Sequence, residues 1–216
     1  MSADIAAAIR RDLRTLSQPT APSIRAVRRQ YSSALKERSP KAVLETAEAL
    51  IENGDFLARF VAFELIVGRQ DVLRLVNDSL VERWAKGLAD WGSVDMFGVT
   101  LAGVAWREGC LSDARVMKWA RSRDRWRRRL ALVATVPLNS RARGGRGDIR
   151  RTLSVCRTLV DDRDDMIVRA LSWALRELSK REPATVRRFV REEESRLASR
   201  VRLEVKRKLE TGRKNL

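Results

Sequence analysis

The chain has 216 residues, with 45 Lys and Arg against 28 Asp and Glu, so its formal net charge is +17 and its sequence pI is near 11.2. Such an excess on foldable sequence points to a polyanionic partner, with a generally solvated basic surface as the plainer alternative. Histidine is absent, which excludes Ser-His-Asp and Cys-His nucleophilic machinery and histidine-ligated zinc or iron, and no apolar run approaches the roughly 18 residues of a membrane span.

Apolar residues recur at three- and four-residue steps along most of the chain and no alternating strand pattern is found, so the fold class is all-α. Predicted helices cover 3–16, 21–37, 40–52, 55–67, 71–86, 93–108, 112–121, 124–136, 147–160, 164–180, 183–193 and 195–210. Pro40 and Pro183 suit first helical turns, while Asn53-Gly54-Asp55, Glu108-Gly109-Cys110 and Asp161-Asp162 read as stops or turns. The stretch from Arg141 to Asp148, Arg-Ala-Arg-Gly-Gly-Arg-Gly-Asp, reads as an exposed basic loop.

Short connectors between these helices imply antiparallel pairs. Small residues at Ala62, Gly98, Ala131 and Ala170 sit 36, 33 and 39 residues apart, approaching the period of about 40 of HEAT and armadillo repeats. The expected architecture is a single domain over 1–216 of stacked helix pairs, a superhelical solenoid with a concave basic face; a non-repetitive bundle is the alternative. With no signal or lipidation motif, a soluble, cytoplasmic monomer is expected.

Cys110 and Cys156 are too few for a thiolate metal site and too far apart for a redox pair, so both are expected as buried apolar residues. No glycine-rich phosphate-binding pattern occurs, and neither metal nor cofactor is expected. The acid or base of any enzyme here is therefore Asp or Glu.

Three segments combine aromatic and charged residues. Trp91 and Asp95, four apart in Trp-Gly-Ser-Val-Asp, fall on one face of a helix. A π face and a carboxylate both attract a cation, in a chain that otherwise attracts a polyanion. The second segment is the arginine run Arg125-Trp126-Arg127-Arg128-Arg129 at a helix start. In the third, 164–178, Trp173 lies between Arg169 and Arg176 on neighbouring parts of one face. Trp84, Trp106, Trp119 and Trp126 are assigned to the core. Asp95, Asp164 and Asp165 have a plainer reading as first-turn acids favoured by the helix dipole.

Through these segments the chain resembles the AlkD-type DNA glycosylases of the DNA alkylation repair family, which are built from HEAT-like repeats. The resemblance runs from Pro22-Ser23-Ile24-Arg25 to about residue 200. It rests on a Trp-x-x-x-Asp pair, an arginine following a Trp-x-Arg helix start, and Trp173-Ala174-Leu175-Arg176-Glu177. It implies that Trp91, Asp95, Arg129 and Trp173 line a lesion-facing cleft, with Asp95, Trp91 and Trp173 catalytic and Arg129 on a backbone phosphate. The neighbouring Arg128, Arg169 and Arg176 are expected to bind phosphate with it. The implied partner is double-stranded DNA carrying N3- or N7-alkylated purines such as 3-methyladenine and 7-methylguanine. The implied reaction is hydrolysis of the N-glycosidic bond without a base-binding pocket. The segment from Asn139 to Asp148 departs from the family by its length and basicity, and offers either a further phosphate contact or an altered choice of lesion. A non-catalytic module that binds damaged or bent DNA, and a protein-binding helical scaffold, are the alternatives.

Overall fold

Helix starts are written into the sequence as side-chain caps, and a computed structural model, which describes residues 2–52 and 55–213, shows them in use. Asp55, Asn77, Asp90, Ser112, Asp124, Asp148 and Asp164 each accept a backbone N–H of the first turn that follows them, and Thr20 and Ser23 form a reciprocal capping box. Each such cap is worth about 1 kcal/mol. No strand occurs among the described residues, so the all-α reading holds. The predicted turn at Asn53-Gly54 lies outside the described residues.

The helices cluster into two compact units. The first, Met1–Lys86, contains α1 (Ser2–Arg14), α2 (Ala21–Gln30), α3 (Ser32–Lys36), α4 (Pro40–Glu52), α5 (Phe56–Val67), α6 (Gln70–Leu73) and α7 (Asp78–Ala85). Here α4 packs against α1 and α5 around Ile9, Leu50, Phe63 and Ile66, all fully buried. Two predicted helices are each divided. Tyr31 interrupts 21–37, closing α2 and opening α3 while its hydroxyl donates to Asp12 at 2.5 Å. Asn77 divides 71–86 because its side chain caps a new helix, accepting from Ser79 and Leu80.

The second unit, Gly87–Leu216, contains α8 (Trp91–Phe97), a π-helical stretch (Gly98–Ala102), α9 (Gly103–Arg107), α10 (Asp113–Ala120), α11 (Arg125–Val133), α12 (Val136–Asn139), a 3-10 turn (Arg141–Arg143), α13 (Ile149–Thr158), α14 (Asp165–Ser179), α15 (Pro183–Glu192) and α16 (Ser199–Thr211). At its centre α14 packs against α11, α13, α15 and α16. The predicted helix 93–108 therefore begins two residues earlier and is α-helical only at its ends. π turns inside α-helices recur at functional sites.

Glycine at 98 and 103 has a packing reason. A Cβ on Gly98 would sit 2.8 Å from Val133 Cγ1, and one on Gly103 only 2.4 Å from the Ala134 carbonyl oxygen. Both distances are below any real carbon contact, so only glycine lets this segment lie against α11 and the turn after it.

The segment from Arg141 to Asp148 is exposed along most of its length, as expected, but it is anchored. Gly145 N–H donates to Ser140 O and Gly147 N–H to Leu138 O, at 2.8 and 2.9 Å. The buried Asn139 side chain accepts from Asp148 N–H and donates to Thr135 O and Thr152 Oγ1. The short α12 before this segment was hidden in the sequence by Pro137, which occupies its first turn.

Trp84, Trp106 and Trp119 are core residues, and Ala62, Gly98, Ala131 and Ala170 are buried at helix contacts. Trp126 differs: it is half-buried, with the Arg125 guanidinium over its ring at 5.5 Å. Cys156 is fully buried and its thiol is pushed far up by burial. Cys110 is only half-buried, in the turn after α9, and is not a core residue.

Candidate active-site cleft

Asp90 starts the site. Its carboxylate caps α8 by accepting Ser93 N–H at 2.9 Å, which puts Trp91 at the first helical position and Asp95 one turn on. The first-turn role suggested for Asp95 is thus filled by Asp90, and Asp95 is left without a capping task. Trp91 is 62% exposed, a large indole held out in solvent.

The close approach at Gly98 brings α8 within reach of Arg129 on α11. Arg129 Nε–H and Nη2–H donate to the two oxygens of Asp95 at 2.8 and 2.7 Å, and Nη1–H donates to Met166 O at 2.5 Å. One guanidinium so fastens α8 to the start of α14, where Asp164 caps the helix through Met166 N–H. Arg129 is 5% exposed, and fork-to-carboxylate pairs of this kind are both strong and geometrically exacting. Burial lifts the Asp95 carboxyl above its ordinary value; Arg129 pulls it back without cancelling that effect, and Asp90 adds a small push upward.

Asp95 and Arg129 line a cleft of about 290 Å³ together with Trp91, Trp173, Arg169 and Arg176. Six of the seven residues singled out in the sequence therefore share one cavity. Met166, Arg200 and Glu204 complete its lining. Neither Arg200 nor Glu204 was signalled by sequence, because α16 is densely charged throughout and nothing marks two of its residues as facing a site.

The arginines do not behave alike. Arg128 and Arg129, both expected on DNA phosphate, each hold acceptors within the protein. Arg128 donates to Asp162 at 2.7 Å and to the Ser122 and Arg123 carbonyls, and it does not line the cleft. Consecutive residues on a helix point about 100° apart, so one neighbour enters the cleft and the other secures the turns flanking α11. Arg169 is half-exposed and held through Nε by Asp165 at 2.7 Å. Arg176 is mostly buried; desolvation lowers its pKa, opposed by Glu204 and Glu177.

Packed helices without strands among the described residues, with a carboxylate gripped by arginine in a basic, tryptophan-flanked cleft, fit a HEAT-like helical-repeat protein. The family model described as DNA alkylation repair enzyme matches residues 13–209, and the chain belongs to that family. No curated protein matches it. No helix among the described residues is long and apolar enough to cross a membrane.

Proposed function

We propose that the protein is a monofunctional DNA glycosylase that releases cationic N3- and N7-alkylated purines, such as 3-methyladenine and 7-methylguanine, from double-stranded DNA. The observation that carries this reading is the Asp95 carboxylate, held by both oxygens in an arginine-rich cleft between two tryptophans.

Alkylation at N3 or N7 gives the purine a positive charge, so the base leaves as a neutral molecule and needs no strong acid to protonate it. The absence of histidine is no obstacle. When the glycosidic bond breaks, its electron pair goes to the base and positive charge develops on the deoxyribose. A fixed carboxylate beside that sugar stabilises the developing cation and orients the water that adds to C1′. Asp95 takes this role, and Arg129 keeps it in place. The rings of Trp91 and Trp173 attract the cationic nucleotide, each by about 0.5 to 2 kcal/mol. Phosphate contacts fall to Arg169 and Arg176 on the same cleft.

The direct test is to incubate the protein with methylated duplex DNA and identify the bases set free. Release of 7-methylguanine or 3-methyladenine is expected. Tight binding with no release would make the protein a recognition module instead.

A further inference from the structure

The cleft contains a second carboxylate that the proposed reaction does not use. Glu204 on α16 is 14% exposed at its side chain. It accepts from Ser172 Oγ at 2.6 Å and from Arg200 Nε at 2.9 Å, and lies 3.6 Å from Arg176 Nη2. Ser172 is fully buried on α14, one residue before Trp173, and accepts in turn from Arg176 Nε at 3.1 Å. At the other end, Arg200 Nη1 reaches Asp165 at 3.3 Å, and Asp165 also holds Arg169 Nε. The charges alternate along α14 and α16 as Arg169, Asp165, Arg200, Glu204, Arg176.

Three features set this ladder apart from a solvated surface. It ties two helices together through a buried hydroxyl. Its three cations share two anions, so one positive charge is left over on the cleft. All three arginines are anchored through Nε; Arg169 makes no hydrogen bond from its terminal nitrogens among the described residues, and Arg176 Nη2 stands 3.6 Å from Glu204 without a hydrogen bond. The terminal pair of a guanidinium is the edge that grips phosphate bidentately.

We propose that Arg169, Arg176 and Arg200 form a three-arginine clamp for DNA phosphates along the cleft, and that Glu204 is the residue that positions it. The proposal rests on the glycosylase reading for the identity of the polyanion. Three guanidiniums this close repel one another in the free protein. Glu204 and Asp165 offset that repulsion and leave the arginines aimed before DNA arrives, so little ordering remains to be done on binding.

The test is the salt dependence of binding of the full chain to duplex DNA, read by fluorescence anisotropy. Each phosphate neutralised contributes about 0.9 to the slope of log affinity against log salt. Arg200→Gln should lower the slope by about that amount, while Arg200→Lys keeps the slope and loses affinity.

Glu204→Gln is the sharper probe. It removes a negative charge from a polyanion site, so bulk electrostatics alone would make DNA bind as tightly or more tightly. A clamp that needs Glu204 loses affinity, by about tenfold at low salt, the equivalent of one charge-assisted contact. Circular dichroism melts report whether each variant is folded, and the lysine variant carries the test if the glutamine variants are not. A steep slope for the unaltered protein with no change in Arg200→Gln, or Glu204→Gln binding undiminished, overturns the clamp alone. A flat slope for the unaltered protein removes the DNA reading beneath it.

Discussion

Arg129 reaches across 34 residues of sequence to hold both oxygens of Asp95, at 2.8 and 2.7 Å, and spends its third contact on the Met166 carbonyl. This pair joins three helices and fixes the one carboxylate proposed to face the reacting sugar. Its two members fail differently when removed. Asp95→Asn keeps the shape and an acceptor for Arg129 but loses the charge, so base release should fall by about 10²- to 10³-fold with duplex affinity nearly unchanged. Single-turnover release assays beside anisotropy titrations check this, and full activity in the variant would sink the mechanism.

Arg129→Ala strands a half-buried carboxylate. Breaking a buried pair from one side costs about 3 kcal/mol, visible as a lower midpoint in urea. Arg129→Lys should not restore activity, because an ammonium cannot hold both oxygens in one plane.

The pH dependence follows from the raised Asp95 carboxyl. Protonation removes the charge that stabilises the sugar cation, so kcat/KM should drop on the acid side. The limb should lie above 3.8, the ordinary value, because burial raises this group. Stability moves the other way. A carboxyl raised by folding favours the native state at low pH and withdraws that support as pH rises through its folded value. Asp95 therefore does not drive acid unfolding. Activity should be lost with the helical circular dichroism signal intact, and Asp95→Asn should show no such limb in its residual rate. A limb at or below the ordinary value would contradict the assignment of burial as the dominant influence.

Gly98→Ala tests whether close packing sets up the site. Its Cβ would lie 2.8 Å from Val133 Cγ1 and 3.2 Å from Leu130 Cδ1. Overpacking of this kind costs about 1 to 3 kcal/mol. Because relief requires α8 to move off α11, base release should fall further than stability alone explains. Thermal melts paired with activity measured well below the midpoint separate the two effects.

Two tryptophans give opposite outcomes. Trp91 is largely exposed, so Trp91→Ala should change stability by less than about 0.5 kcal/mol while weakening binding to alkylated DNA more than to undamaged DNA. Trp106 is fully buried and its indole N–H donates to Asp113 at 2.8 Å. Trp106→Ala should cost about 3 to 5 kcal/mol with no lesion preference in the loss. Chemical denaturation and competition binding distinguish them.

Whatever depends on neighbours along the chain was legible in the residues. The periodicity dictated helices, Asp, Asn, Ser and Thr caps placed their starts, and the four-residue step put Trp91 and Asp95 on one face. Where local signals competed, it was misread: Asn77 restarts a helix inside 71–86, and Gly98 carries a π turn that periodicity cannot distinguish from α-helix. Tertiary structure alone decided which charges meet. Arg128 and Arg129 are indistinguishable in a run of arginines, yet one secures a turn through Asp162 and the other holds the proposed catalytic carboxylate. Arg200 and Glu204 lie in a helix with charges spread over its solvent face and join the cleft only because α16 packs on α14 through Val201 and Val205. Helix formation is a local free energy summed over successive residues. The pairing of charges depends on which helix faces pack together, and that packing is set by the whole buried core.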